Sequence, residues 1–105
     1  MSANNNNRIQ IPEFITKFVE LEQKKDYGVF LEPSNLFFFL DSPDSDLSAL
    51  LVAICRLDEK NRFSIPRRLW NLIQAENEKE LIFFPKNGNI YFTSIAVIQQ
   101  KNGLL

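Results

Sequence analysis

The chain has 105 residues, 45% of them hydrophobic and 24% charged, with a formal net charge of −1, a composition that fits one globular domain with a packed core and excludes a wholly disordered or fibrous chain. It contains no His and one Cys, which removes the usual zinc sites, a His general acid or base, a haem His ligand and any intrachain disulfide. With no Gly-rich phosphate loop and no paired-carboxylate cluster either, no catalytic residue, metal or cofactor is assigned, and the chain does not read as an enzyme.

Charge is divided unevenly. Residues 1 to 54 carry four Lys or Arg against eight Asp or Glu, whereas residues 55 to 105 carry eight against five. The densest basic window runs from 56 to 72, where Arg56, Lys60, Arg62, Arg67 and Arg68 face only Asp58 and Glu59. Such a window is either a phosphate-binding patch or a solvated surface. The longest apolar run, Ala49 to Cys55, is far short of the roughly 20 residues a membrane span needs. The polar start has no signal-peptide pattern, so the expectation is a cytoplasmic protein without membrane contact. Cys55, inside that apolar run, reads as a small buried hydrophobe.

The sequence is two copies of one unit. Shifted by 54 positions, residues 4 to 38 align with residues 58 to 92 without a gap; nine pairs are identical, and 12 of the 14 hydrophobic positions in each copy coincide. Each unit starts at an Asn-rich turn, with Asn7 or Asn61 suited to a left-handed backbone. A short alternating strand follows, Arg8 to Ile11 or Arg62 to Ile65. Pro12 and Pro66 end these strands and suit the first turn of a helix. The spacing of Phe14, Ile15, Phe18, Val19 and Glu22, and of Leu69, Leu72 and Ile73, predicts two short helices with one inward face each. Two hairpins come next, Asp26–Leu31 with Asn35–Leu40 around Pro33-Ser34, and Glu80–Phe84 with Asn89–Phe92 around Asn87-Gly88.

The resulting layout is a single domain over 1–105. A first repeat spans 4–40, an acidic connector 41–48, a second repeat 49–92 that opens on an apolar strand from Ala49 to Leu57, and a tail 93–105. The tail and the Phe37-Phe38-Phe39 run read as a docked segment and strand core, or else as contacts between copies. The fold class is mainly β with short helices. One such unit has too little apolar surface to stand alone, so each is expected to need its twin.

Leu57-Asp58-Glu59-Lys60-Asn61-Arg62-Phe63-Ser64-Ile65-Pro66 resembles the signature of the AbrB/SpoVT/MraZ swapped-hairpin superfamily. The nearest form is the two-repeat MraZ arrangement, with an Asp followed four places later by Arg. The resemblance covers about residues 50 to 92, and more weakly 7 to 40. It implies a pseudo-twofold swapped-hairpin barrel built from both repeats of one chain, and a DNA-binding transcriptional regulator that acts as a homo-oligomer. Arg62 and Arg8 match the family Arg associated with DNA contact, with Arg56, Lys60, Arg67 and Arg68 as further candidates. Asp58 matches the motif Asp and would orient Arg62, because bidentate recognition needs a fixed guanidinium plane.

Departures from the pattern matter equally. Asn replaces the signature Gly in both copies, and Trp70 and Thr16 stand where many relatives place another Arg after the Pro. In the first copy Asn4 replaces the motif Asp, and Glu13 and Phe14 replace the Arg pair. The first repeat therefore reads mainly as a structural complement whose acidic surface suits a protein partner. A protein-interaction module, antitoxin-like or scaffolding, stays open beside the DNA-binding reading.

Overall fold

A computed structural model describes residues 8–44 and 50–102. The alternating segments at the start of each repeat form β1 (Arg8–Gln10) and β5 (Arg62–Ser64), which pair antiparallel as a two-stranded ribbon. Five further strands make one antiparallel sheet: β2 (Asp26–Glu32), β3 (Phe37–Asp41), β4 (Leu50–Arg56), β6 (Leu81–Lys86) and β7 (Asn89–Ser94), in the order β4-β2-β3-β7-β6. Among the described residues there are two α-helices, α1 (Arg67–Leu72) and α2 (Ile95–Asn102). The fold is thus mainly β, and the repeats interleave: β4 of the second repeat pairs with β2 of the first. The expected closed barrel is absent among the described residues. Among those residues the ribbon strands are only three residues long and pair only with each other, and the sheet keeps two edges, β4 and β6.

The pairing registers show how the two copies meet. Ile9 lies opposite Phe63 in the ribbon, and Phe38 lies opposite Phe92 where β3 meets β7. Each of these residues faces its own repeat equivalent, so a pseudo-twofold axis passes through both pairs. All four side chains are at most 2% exposed. Phe92 joins the layers, with its ring centroid 5.4 Å from Phe38 and 5.7 Å from Phe63 of the ribbon. Ile11, Ile15, Leu57, Leu69, Trp70, Ile73 and Val97 fill the space around them. Full burial of each such side chain contributes about 1.5–3 kcal/mol, which makes this shared interior the dominant bond between the copies.

The hairpins depart from symmetry by a defined amount. Phe84 pairs with Tyr91 in the second, but Phe30 pairs with Phe39 in the first, two residues beyond the equivalent Phe37. The turns explain this. Asn87 and Gly88, at φ 55° and 78°, make the two-residue turn that suits the twist of flanking strands. Pro33 to Leu36 make a longer loop in which the Glu32 carbonyl accepts the Asn35 and Leu36 N–H groups at 3.1 and 2.8 Å. Because side chains alternate with period two, a slip of two keeps every residue on its face.

Two expected elements are corrected. The first-repeat helix is a single 3-10 turn, Ile15–Lys17, and of its predicted inward face only Ile15 and Val19 are buried, while Phe14 and Phe18 are 52% and 70% exposed. Branching at Ile15, Thr16 and Val19 disfavours continued helix, and the Thr16 hydroxyl donates to the Glu13 carbonyl at 2.6 Å, a local bond that competes with helix propagation. In the second helix Leu72 is likewise 41% exposed. In the tail, read from sequence without a helix, residues 95 to 102 form α2. Ser94 at its start accepts the Val97 N–H at 3.1 Å and donates to the Ile73 carbonyl, an N-cap that anchors the helix to the segment after α1. No helix among the described residues is long and apolar enough to cross a membrane.

Candidate functional site

Strand alternation builds the site. With Ile9 and Phe63 inward, the ribbon turns Arg8, Gln10, Arg62 and Ser64 outward. Arg8 sits opposite Ser64 and Gln10 opposite Arg62, so the pseudo-twofold axis sets the two repeat-equivalent arginines diagonally on one surface. Diagonal neighbours lie about 7–8 Å apart, within reach of long side chains.

One carboxylate holds both. Asp58 Oδ2 accepts from Arg62 Nε at 2.8 Å and from Arg8 Nη1 at 3.1 Å. Its Oδ1 accepts the backbone N–H groups of Lys60 and Arg62 at 2.8 and 2.9 Å. The turn that permits this closes through Asn61 N–H to the Asp58 carbonyl at 3.1 Å. Asn61 takes φ 60°, the left-handed conformation expected of it. Partial desolvation pushes the Asp58 carboxyl upward, but the backbone N–H groups of Arg62 and Lys60, with the Arg62 side chain and charge, outweigh it and hold the pKa down to about 2. Asp58 is therefore ionised at neutral pH, and both guanidinium groups are fixed by charge-assisted bonds.

Around this clamp lies an open groove of about 510 Å³, walled by Arg8, Lys24, Arg56, Lys60 and Arg62 with Leu57, Asp58 and Glu59. Arg8 and Arg62 also line an adjoining hollow with Gln10 and Glu78. Basic groups outnumber acidic ones in the groove, although several are paired: Arg56 Nε with Asp26 Oδ1 at 2.9 Å and Lys24 Nζ with Glu59 Oε2 at 3.2 Å. Among the described residues no ion pair involves Lys60. The chain matches no family model, no curated protein and no solved structure.

Of the predicted residues, the fold brings together Arg8, Arg56, Asp58, Lys60, Asn61 and Arg62. It does not bring Arg67 and Arg68 into the groove. Arg68 Nη2 donates to the Val52 carbonyl at 2.8 Å, next to the bulge where β4 slips against β2, and the Arg67 guanidinium lies 5.9 Å from the Trp70 ring centroid. Both arginines lie at the start of α1. Pro66 immediately precedes α1 and accepts the Leu69 N–H at 3.0 Å, while Pro12 accepts the Ile15 N–H at 3.0 Å. Trp70 is fully buried, and its indole N–H has no partner among the described residues. Asn7 and Asn4 lie outside the described residues, as do positions 45–49 of the connector and the repeat junction.

Three residues of the groove and its adjoining hollow, Gln10, Lys24 and Glu78, carry no assignment from the sequence. Gln10 was legible, since alternation puts it on the outer face with Arg8; its Nε2 donates to the Lys60 carbonyl at 2.8 Å and ties ribbon to turn. Lys24 arrives from a turn and Glu78 from the 3-10 turn Glu78–Glu80, both too short for any periodicity to announce their direction. No cluster of three or more His, Cys, Asp or Glu suited to a metal occurs among the described residues.

Proposed function

We propose that this chain is a DNA-binding transcriptional regulator of the AbrB/MraZ kind, cytoplasmic, which grips duplex phosphates with Arg8 and Arg62. The observation that carries the reading is the pair of repeat-equivalent arginines clamped side by side on the ribbon by Asp58, in a groove to which Lys24, Arg56 and Lys60 add charge. Fixed guanidinium planes suit phosphate oxygens. The interleaving of β4 with β2 supports a swapped-hairpin arrangement, held open here as two sheets instead of a closed barrel.

The test is binding to random-sequence duplex DNA over a range of salt, for the wild type, Arg62→Ala, Arg8→Ala and Lys101→Ala. Each groove arginine that touches a phosphate lowers the salt slope by about 1 when removed. Lys101, bonded to Asn35 at 2.9 Å and absent from the groove walls, leaves the slope unchanged. No binding at low salt by folded protein overturns the proposal. It would favour the second reading, a protein-interaction module, for which the carboxylates Asp26, Glu59 and Glu78 interleaved with the basic groups speak.

A further inference from the structure

The repeat symmetry makes β2 and β6 equivalent strands, yet they are buried very differently. Tyr27 to Leu31 of β2 are all buried, whereas in β6 Leu81, Phe83 and Phe84 are half-buried and Ile82 and Pro85 are exposed. The cause is lateral. β2 has β4 on its outer side, and β6 has no described strand there. The two-residue turn at Asn87-Gly88 sets the hydrogen-bond phase: Lys86, Phe84 and Ile82 face β7, so the backbone groups of Leu81, Phe83 and Pro85 point outward. Edge strands are ordinarily guarded by charges or bulges. The β4 edge has both, a bulge with Arg68 on its carbonyl, but β6 from Leu81 to Pro85 carries no charge and has only Pro85 to blunt it. Beside it the 3-10 turn of the first repeat packs on β6, flanked by the exposed rings of Phe14 and Phe18.

We infer that β6 pairs antiparallel with β6 of a second copy, joining two five-stranded sheets into one of ten strands. The strand is self-complementary about a twofold axis through Phe83. In that register Glu80, the last residue of the 3-10 turn Glu78–Glu80 that leads into β6, falls opposite the partner's Lys86, and the same pair recurs on the other side of the axis. Leu81 falls opposite the partner's Pro85, and Ile82 opposite the partner's Phe84. Every outward N–H then finds a carbonyl: Phe83 exchanges two bonds with its own copy, and each Leu81 N–H meets the Pro85 carbonyl, whose residue has no N–H to leave unpaired. Glu80 uses Oε1 to cap the Glu76 N–H at 2.9 Å and keeps its second oxygen for the partner. Charge complementarity at both ends of an uncharged strand is what selects a second copy over an unrelated peptide. The inference does not rest on DNA binding, though such a dimer brings two ribbons into one particle.

The test follows the oligomeric state by sedimentation over about a hundredfold dilution, together with residue-resolved amide exchange. The expected result is a dissociable dimer in which the Leu81 and Phe83 amides gain protection as concentration rises, while Ile82 and Phe84, bonded to β7 in either state, do not change. Glu80→Lys and Lys86→Glu each place like charges opposite one another twice, weakening the dimer roughly tenfold, and the double swap Glu80→Lys/Lys86→Glu restores it. A protein that stays monomeric throughout overturns the inference, as does a dimer whose Leu81 and Phe83 amides exchange freely. Binding of a Leu50–Arg56 peptide to a monomeric protein would also overturn it, by giving the edge to a different strand.

Discussion

Gly28 offers a quantitative check on the packing of β2. It stands opposite Asp41 on one side and Ile54 on the other, and its repeat equivalent is Ile82, which is 37% exposed. A Cβ added at Gly28 would lie 2.8 Å from Leu51 Cδ1, 2.9 Å from Phe30 Cε1 and 3.2 Å from Pro43 Cα, all inside the optimal carbon separation of about 3.5–4.0 Å. Leu51 is 47% exposed and can swing away. Phe30 is 3% exposed and stacked on Phe39 at 5.3 Å, and Pro43 presents backbone, so neither yields easily. Overpacking costs about 1–3 kcal/mol, against which replacing Gly within a strand recovers about 0.5–1 kcal/mol of chain entropy. Gly28→Ala is therefore expected to destabilise by about 1–2 kcal/mol, read as a lower urea midpoint at unchanged m. In double-mutant cycles Gly28→Ala should couple to Phe30→Leu by about 0.5 kcal/mol or more and only weakly to Leu51→Ala. A midpoint that rises, or a coupling carried by Leu51 alone, would refute this account.

Other predictions concern the site and its supports. The folded pKa of Asp58, about 2, lies below the unfolded value near 3.9, so its stabilising contribution is present above about pH 4 and is lost as pH falls towards 2; Asp58→Asn should flatten stability against pH in that window, measured as urea midpoints at several pH values. Cys55 is pushed up to about 12 by burial and then by the charge of Asp26, so alkylation at pH 8 should be slow in native buffer and accelerate with urea; rapid native labelling would show that β4 opens readily. Ser94→Ala removes the α2 cap and a buried bond to the Ile73 carbonyl, with an expected loss of about 1–3 kcal/mol by thermal or chemical melting.

How much was legible in the sequence varies with the kind of information each residue carries. The repeat exposed the two short strands, though not their pairing into a ribbon, and both hairpins, because alternation and turn residues are local signals, and Asn61 and Asn87-Gly88 adopt the backbone their side chains tolerate. Asp58 and Arg62 meet as the motif resemblance implied. The reach of the same carboxylate to Arg8, 50 positions away, depends on the ribbon register and has no local mark. Apolar spacing from Phe14 to Glu22 suggested a helix that tertiary context shortens to one turn. Helix α2 was hidden because its first four residues, Ile95 to Ile98, alternate no more clearly than a strand, although Ser94 before them is a usable cap signal. Arg67 and Arg68 looked like groove residues by proximity to Arg62, but the helix start redirects them.

The pseudo-twofold axis also bears on how the chain finds its structure. Ile9 and Phe38 each pair with a residue 54 positions later, so during synthesis the first repeat emerges with its central partners still unmade. Non-local pairing of this kind slows folding, since a long loop must close before its contacts repay the closure. Until Phe92 emerges, Phe38 and its neighbours are uncovered strand, the species most exposed to wrong pairing and to chaperones. The symmetry that makes the folded core economical therefore concentrates the folding hazard in the first repeat and resolves it only once the second has been made.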